Sequence, residues 1–173
     1  MRKITLPCSK EEFKNLKAGE EVYLSGVIYT ARDAAHARMK KLIDNNEKLP
    51  IDLKTSAIYY AGACPAKPGD AIGSCGPTTS KRMDGYAPEL FDMGLLATIG
   101  KGPVAKEVLD ALKRNGTVYF CACGGAGALI AQCVTKCDVI AFDDLGPESI
   151  KRLEIKDMPV IVGADANGNT VVK

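Results

Sequence analysis

Residues 95–121 of this 173-residue chain read LLATIGKGPVAKEVLDALKRNGTVYFC and alternate between the two kinds of regular structure. Residues 95–99 and 117–121 are short apolar runs of the type that forms buried strands. Residues 103–113 between them have an amphipathic helix pattern, with Pro at its first position and Asn115-Gly116 after its end. A strand, a helix and a second strand in this order predict an α/β fold.

The same alternation extends in both directions from this unit. Residues 22–29 have the β-branched and aromatic content of a strand, and Thr30 is expected to cap a helix over residues 32–43. No internal repeat is present, and we expect residues 1–173 to form a single domain. The other expected elements are a strand at 57–61, a helix at 126–136, a strand at 139–142, a short helix at 147–150 and a hairpin of residues 159–164 and 170–172.

The composition places the chain among ordinary globular proteins. Apolar residues make up 46% of it and charged residues 25%, and the formal net charge is only +2. A charge this small argues against a nucleic-acid or membrane-surface partner, and no apolar run reaches the roughly 18 residues of a membrane span. Seven cysteines, an odd number, and no signal-peptide pattern at the N-terminus indicate reduced thiols and a cytoplasmic location.

Residues 62–77 are rich in Gly and Pro and carry little charge, which predicts a long, ordered loop with a functional role. The loop leads into Gly-Pro-Thr-Thr-Ser-Lys-Arg-Met-Asp at 76–84. A helix beginning at the threonines would place Thr78 and Arg82 on one face, beside free backbone N–H groups, and so outline an anion pocket. The alternative is a helix cap in which Arg82 pairs with Asp84 or with another surface acid.

Two other turns carry a cation. Lys101 lies in Gly-Lys-Gly between a strand and a helix, where it could bind a carboxylate, although the flanking residues do not form a nucleotide-binding P-loop. Arg32 lies at a helix start, and His36, the only histidine, follows one turn later. For each of these turns the alternative is a solvated side chain on the surface.

The remaining motifs give weaker indications. Gly124-Gly125 follow a strand and precede a helix, but the glycine spacing does not match a dinucleotide-binding loop. The four cysteines between positions 121 and 137 do not have the spacing of a zinc site. A structural metal and a Cys–His hydrolase that uses His36 are minor alternatives.

Together the cationic motifs resemble the β subunit, or C-terminal domain, of the iron–sulfur hydro-lyases, the family of class I fumarase and L-tartrate dehydratase. The resemblance extends over nearly the whole chain, and its most specific element is Gly-Pro-Thr-Thr-x-x-Arg-Met-Asp at 76–84. It implies a swivelling β/β/α domain with a mixed sheet, and reversible addition of water across the double bond of a dicarboxylate. The other matching segments are 25–26, 30–36, 100–102, 124–126 and 146–150.

The resemblance also implies roles for four residues. Arg32, Arg82 and Lys101 would bind the carboxylates of the substrate. Thr78 would lie beside the reacting C–H bond as proton acceptor or donor. Because a threonine hydroxyl is a weak base, we expect a carboxylate of a partner subunit to assist it.

The implied cofactor is a [4Fe-4S] cluster on a partner α subunit, with no iron ligand supplied by this chain. The implied assembly is a heterotetramer in which this chain also pairs with itself, and activity requires the α subunit. Fumarate, hydrated to malate, is the expected substrate, and L-tartrate is the alternative that the motifs do not separate from it. The same cationic residues also allow a non-catalytic anion-binding assembly module, and the cysteines allow a stand-alone cysteine enzyme.

Overall fold

A single mixed sheet of seven strands organises the protein, in a computed structural model that describes residues 2–173. The strands are β1 (Arg2–Leu6), β2 (Glu21–Thr30), β3 (Ala57–Tyr59), β4 (Ala97–Gly100), β5 (Val118–Cys121), β6 (Val134–Ala141) and β7 (Ile150–Ala164). Their order across the sheet is β1-β2-β3-β4-β5-β7-β6, and neighbours from β1 to β5 are parallel. The predicted α/β fold with a mixed sheet is therefore confirmed.

Four α-helices connect or flank these strands. They are α1 (Asp33–Asp44), α2 (Ala87–Asp92), α3 (Lys106–Asn115) and α4 (Gly127–Gln132). Short 3₁₀ helices occupy Lys10–Phe13, Leu53–Thr55, Ser80–Met83 and Asp143–Glu148. Across residues 2–173 there is no helix with the length and apolarity that a membrane crossing needs.

The last strand closes the sheet on itself. β7 is 15 residues long and pairs antiparallel with both β5 and β6. It also pairs antiparallel with β2, from Glu21 to Thr30. Because one strand joins β2 to β5 around the parallel set, the sheet adopts a closed, barrel-like arrangement.

Apolar side chains cover both faces of the parallel strands. One cluster contains Phe13 and Phe120, whose rings meet edge to face with centroids 6.0 Å apart. The other contains Met39 and Phe91 and lies under the helices. Every residue of β3 and β4 is buried, as expected for strands covered on both sides. The two clusters therefore hold the strand ends in fixed positions.

Two predicted helices have different bounds in the structure. The helix expected over 103–113 begins at Lys106, so Pro103 precedes it rather than occupying its first position. The helix expected over 126–136 ends at Gln132, because β6 takes the following residues into hydrogen bonding with β7.

The C-terminal segments also differ in extent. The strand expected over 139–142 is the end of the longer β6, and the helix expected at 147–150 is a 3₁₀ helix that ends at Glu148. The expected hairpin is reduced to one bridge between Ala164 and Thr170.

Thr30 does not cap α1, contrary to the prediction from sequence. It is the last residue of β2, where its hydroxyl donates to the Ser149 carbonyl (3.3 Å) and accepts from the Lys151 N–H (3.1 Å). Arg32 instead occupies the position before the first helical residue, and its side chain does not cap the helix. The arginine side chain is thereby free to take part in other contacts.

Candidate functional site

The carboxyl ends of the parallel strands bring the predicted cationic turns to one edge of the sheet. Arg32 follows β2, Lys101 follows β4, and Gly124 lies in the loop after β5. β3 lies between β2 and β4 and leads into Gly62. Ligands of parallel α/β sheets bind in the crevice outside the carboxyl ends of the strands. This edge is therefore where the fold is expected to hold a small ligand.

The long loop over 62–77 is packed against the start of α4. The Tyr59 hydroxyl donates to the Cys75 carbonyl (2.6 Å), and the Cys75 N–H donates to the Gly127 carbonyl (3.1 Å). A Cβ atom on Gly127 would collide with the Ser74 hydroxyl, so the close approach requires glycine. The loop thereby carries the Gly-Pro-Thr-Thr motif to the same edge of the sheet.

The main chain of Thr78 is joined to the ends of two strands. Its N–H donates to the Tyr60 carbonyl (2.6 Å), and its carbonyl accepts from the Lys101 N–H (3.3 Å). Thr79 forms a parallel bridge with Lys101, and the Ser80 N–H donates to the Lys101 carbonyl (2.9 Å). The helix considered for the threonines begins only at Ser80, as a 3₁₀ helix with Thr79 in the position before it, because the backbone groups of residues 78 and 80 are bonded to the sheet.

A pair of buried hydroxyl groups stabilises the backbone where residues 78–80 meet Lys101. The Ser80 hydroxyl is hydrogen-bonded to the Tyr119 hydroxyl (2.9 Å), which also contacts the Gly102 carbonyl (2.9 Å). Because a carbonyl only accepts, Tyr119 donates to Gly102 and Ser80 donates to Tyr119. A Cβ atom on Gly100 would collide with the Ser80 hydroxyl. The backbone around Thr78 and Lys101 is thus held by contacts on both sides.

Two functional groups on this backbone remain available to a ligand. The side chains of Thr78 and Lys101 are both half-buried. The Lys101 side chain lies over Gly124, where a Cβ atom would be 3.4 Å from its Cδ and 3.9 Å from its Nζ. Among residues 2–173, no acceptor or donor is hydrogen-bonded to the Thr78 hydroxyl, and no carboxylate pairs with the Lys101 ammonium.

The other two predicted residues meet at one carboxylate. Arg82 donates from Nε to Asp33 Oδ1 (2.8 Å), and Arg32 Nε faces Asp33 Oδ2 (3.5 Å). Partial burial raises the pKa of Asp33, but hydrogen bonds from its own backbone and from Arg82, with the charge of Arg82, outweigh this and lower the pKa below its ordinary value. Asp33 is therefore ionised at neutral pH and joins the two guanidinium groups.

Arg32 has a second acidic partner in the segment before β7. Its Nε lies 3.3 Å from Glu148 Oε1. The aliphatic part and one terminal nitrogen of Arg32 lie against Gly62, where a Cβ atom would be 3.0 Å from Cδ and 3.3 Å from Nη1. Two carboxylates and a glycine therefore define the position of the Arg32 guanidinium.

His36 supports Arg32 from within α1. The imidazole is only 1% exposed, and its Nδ1–H donates to the Arg32 carbonyl (2.9 Å). Its Nε2 atom has no hydrogen-bond partner in the described part of the chain. Burial lowers the pKa of His36 to about 4, and the Arg32 carbonyl and the charge of Asp33 oppose this only in part. The ring is therefore neutral at pH 7 and serves as a structural donor.

His36 should make the stability of the isolated chain depend on pH. Because its folded pKa of about 4 lies below the ordinary 6.5, the unfolded chain binds more protons between these two pH values. The contribution of His36 to the free energy of unfolding should be constant above pH 6.5 and decrease by about 3 kcal/mol as the pH falls from 7 to 4. Urea unfolding at pH 7.0, 5.5 and 4.5 measures this decrease.

The matched variant is His36→Asn, which keeps an amide donor for the Arg32 carbonyl but does not titrate. We expect it to be less stable at pH 7 and to show a flatter profile between pH 6.5 and 4.5. Equal slopes for the two proteins in this range would contradict a buried, neutral imidazole.

One family model, described as Fumarase C-terminus, matches residues 1–173. The chain belongs to this family. The family resemblance of the motifs at 76–84 and 30–36 is therefore confirmed. Within the fumarase C-terminus family, the relatives include both fumarate hydratases and a tartrate dehydratase subunit.

Three relatives illustrate the two kinds of enzyme. "Putative L(+)-tartrate dehydratase subunit beta" of Methanocaldococcus jannaschii is 43% identical over 169 residues, which cover 94% of this chain and 87% of that protein. Fumarate hydratase 2 of Leishmania major is 39% identical over 163 residues, 92% of this chain and 28% of that protein. The aerobic class I fumarate hydratase of Escherichia coli K12 is 38% identical over 148 residues, 84% of this chain and 27% of that protein. The chain thus spans nearly all of the first relative but only about a quarter of the two fumarate hydratases.

In this fumarase C-terminus domain, the residues predicted from sequence lie at a single edge of the sheet. Arg32 and Arg82 share Asp33, and Thr78 and Lys101 share a main-chain hydrogen bond. The alternative considered for Arg82 was an ion pair with Asp84 or another surface acid. Arg82 does form an ion pair, but with Asp33, which also contacts Arg32. The roles assigned to these four residues stay predictions.

Two acidic residues of the site were not predicted. Asp33 directly follows Arg32 in the sequence, and Glu148 lies in the 146–150 segment that carries part of the family resemblance. The available signals were the acid beside Arg32 and the acid within the 146–150 segment. Asp33 was missed because Asp33 and Arg82 are 49 positions apart and meet only in the folded chain.

The cysteines do not form a site for an iron–sulfur cluster. All seven are free thiols, Cys75 is buried, and burial raises its pKa to about 12. In residues 2–173, no three side chains of His, Cys, Asp or Glu are arranged to hold a metal ion. Since a cluster requires several thiolate ligands together, the donors of this chain do not fit one.

Proposed function

We propose that this fumarase C-terminus domain is the β subunit of a heteromeric hydro-lyase that reversibly adds water to fumarate to form malate. The observation that carries the proposal is the single sheet edge at which Arg32, Thr78, Arg82 and Lys101 lie together. A dicarboxylate has two negative charges, and arginine side chains bind carboxylates through paired N–H groups. Residues 1–173 would act as one domain of this enzyme.

The site has the properties of half an active site, which supports a requirement for a partner α subunit. Its three cations lie at the sheet edge, where Arg82 is exposed and Arg32 and Lys101 are half-buried. None of them lines the cleft of about 880 Å³ between the 62–77 loop and α4. Asp33 and Glu148 neutralise much of the positive charge of the arginines. We therefore expect the isolated chain to bind a dicarboxylate weakly, and a second subunit to cover the edge and strengthen binding.

In the dehydration direction, the base must remove a proton from the carbon beside one carboxylate of malate. Thr78 is the candidate for this transfer, because its half-buried hydroxyl is free at the edge. The electron pair left on carbon spreads onto the adjacent carboxylate, where Arg32, Arg82 and Lys101 would stabilise the added charge. Cleavage of the C–O bond on the neighbouring carbon then forms the double bond, and the hydroxyl group takes a proton from solvent and leaves as water, which balances the proton removed from carbon.

Thr78 does not suffice as a base, because a hydroxyl group is a poor proton acceptor at neutral pH. We infer that a carboxylate of the α subunit accepts the proton through it. The iron–sulfur cluster implied by the family would also belong to the α subunit, since the side chains of residues 2–173 do not fit it. The assembly would be a heterotetramer containing two copies of this chain.

L-Tartrate dehydration is the second candidate function. It is favoured by the relative from Methanocaldococcus jannaschii, which is named as a tartrate dehydratase β subunit and is matched over 87% of its length. The two substrates have the same pair of carboxylates, so the cationic edge suits both. Side chains of the partner subunit, which would contact the hydroxyl groups, are expected to decide between them.

The test is to assay this chain alone, a cluster-loaded α subunit from the same source alone, and the two mixed, without oxygen. Fumarate, L-malate and L-tartrate are supplied in parallel. We expect turnover only in the mixture, with fumarate and malate as the better pair. Preferential turnover of tartrate would assign the second function.

An inactive mixture that contains intact cluster and a formed complex would contradict both hydro-lyase proposals. Calorimetry would then separate the anion-binding module from an unrelated function. A module should bind a dicarboxylate in the isolated chain as tightly as in the complex.

Gly62→Ala should lower kcat/KM of the mixed enzyme by about tenfold, because a misplaced binding group weakens catalysis without unfolding the protein. The new Cβ would be 3.0 Å from Arg32 Cδ and 3.3 Å from the Pro147 carbonyl, so the guanidinium must shift. Gly85→Ala is the control, since a Cβ atom there meets no atom within 4 Å. Equal activity of the two variants would show that contact with Gly62 does not set the position of Arg32.

A further inference from the structure

The two arginines of the sheet edge use the same atom for their ion pairs. Arg82 Nε donates to Asp33 (2.8 Å), and Arg32 Nε faces both Asp33 (3.5 Å) and Glu148 (3.3 Å). Within residues 2–173, no group accepts a hydrogen bond from the terminal nitrogens of either arginine. Each guanidinium is therefore fixed along its Nε side, while its two terminal nitrogens stay available.

Glu148 is itself anchored to the fold. Its Oε1 accepts the Ala34 N–H in the first turn of α1 (3.2 Å). The turn that carries it is held by Lys151, only 9% exposed, whose ammonium donates to two carbonyls of the turn and to the Ser149 hydroxyl (3.1, 3.2 and 2.7 Å). The carboxylate that contacts Arg32 thus has little freedom to move.

From this geometry we propose that Asp33 and Glu148 are positioning residues, which orient Arg32 and Arg82 so that their free terminal nitrogens face a substrate carboxylate before it binds. The identity of that ligand rests on the proposed function. A carboxylate that meets an oriented guanidinium accepts two parallel N–H bonds at once. An unrestrained arginine must first lose its rotamer freedom, which weakens binding.

The charges of the edge are consistent with this role. Arg32, Arg82 and Lys101 together with Asp33 and Glu148 leave only one net positive charge. Two carboxylates in an anion site reduce its attraction for a dianion, so their presence requires another benefit. Orientation of the guanidinium groups provides that benefit.

The expected kinetic effect is specific. When only a fraction of the molecules is competent to bind, the apparent dissociation constant equals the intrinsic one divided by that fraction. Asp33→Asn should therefore raise KM of the mixed enzyme by about tenfold, and Glu148→Gln should raise it by a smaller factor. The turnover number should stay within about twofold of the unchanged enzyme, because a bound carboxylate then holds the guanidinium groups itself.

A merely structural role would have a different signature. Arg38 and Asp144 join the same two elements, α1 and the 143–148 segment, through two hydrogen bonds of 2.7 and 2.8 Å that involve neither Arg32 nor Arg82. Asp144→Asn is therefore the matched control. If the carboxylates only tie these elements together, Asp144→Asn should change the kinetics as much as Glu148→Gln does.

The experiment is to measure kcat and KM for fumarate and L-tartrate with the three variants in the assembled enzyme. A higher KM with nearly unchanged kcat for Asp33→Asn, and no change for Asp144→Asn, is the expected result. An unchanged KM for Asp33→Asn, or an equal rise for the control, would overturn the proposal.

A second measurement separates failure of this inference from failure of the proposed function. In the isolated chain labelled with ¹⁵N, the Nε–H groups of Arg32 and Arg82 should exchange with water slowly, and Asp33→Asn should accelerate both. Asp144→Asn should leave both unchanged. If the assembled enzyme is inactive but these exchange rates respond, the orientation stands and the substrate is another anion. Exchange rates that do not respond to Asp33→Asn would refute the orientation itself.

Discussion

Thr78→Val should lower kcat of the assembled enzyme by roughly 100-fold to 10,000-fold, the range that a general acid or base contributes. Valine has nearly the shape of threonine, so the half-buried side chain is replaced without a large change in volume. The main-chain hydrogen bonds of residue 78 to Tyr60 and Lys101 do not involve the hydroxyl and should persist. KM should change little, because the arginines that would bind the carboxylates are untouched. Steady-state kinetics of the mixed subunits measures both constants.

Thr79→Val is the matched control for this substitution. Thr79 is adjacent to Thr78 but exposed, and its side chain does not cap the following 3₁₀ helix. We expect the control enzyme to keep nearly full activity. Similar losses in the two variants would show that valine disturbs this backbone, and full activity of Thr78→Val would exclude Thr78 from proton transfer.

Arg82→Ala should lower kcat/KM by about 100-fold to 1,000-fold, as removal of a preorganised charged donor at a developing negative charge does in other enzymes. Within residues 2–173 its one ion pair is with Asp33; the pair is partly exposed, and such pairs contribute little to folding stability. The variant should therefore fold and assemble with the α subunit. Activity of the purified complex and its thermal midpoint together distinguish loss of binding from loss of structure.

Lys81→Ala controls for the loss of a positive charge at the same place. Lys81 is the exposed neighbour of Arg82 in the same 3₁₀ helix, and no carboxylate of residues 2–173 pairs with it. General attraction of an anionic substrate would be reduced similarly by both substitutions. A comparable loss in the two variants would therefore assign Arg82 to electrostatic attraction and not to a direct contact.

Local sequence patterns located the candidate site because parallel strands place their carboxyl ends together. Arg32 follows the strand pattern of residues 22–29, and Lys101 directly follows that of 95–99. Once both strands belong to one parallel set, the two side chains must lie at the same edge. The strand β5 in the same set likewise brings Gly124 under Lys101.

Features that depend on distant segments were not predictable in this way. The threonines after Pro77 have the pattern of a helix start, yet Tyr60 and Lys101 occupy their backbone groups and delay the helix to Ser80. The length of β7 is set by pairing with β2, far away in the sequence. Tertiary hydrogen bonds override local preference in both cases. At the threonines, a backbone group that is already bonded to the sheet is not available for a helical hydrogen bond.

The distance between residues 78 and 101 is set by a main-chain hydrogen bond, whereas the chemistry of the site is set by their side chains. Because the two residues are held together by main-chain groups, nearly any side chain could stand at either position without moving the other. Proline is the exception, since it lacks the N–H that each position donates. Substitutions at 78 or 101 other than proline should therefore change the side-chain chemistry of the site while this main-chain hydrogen bond persists. On such a backbone, a single side-chain replacement would alter which groups meet a ligand while the spacing of the main chain around the site is kept.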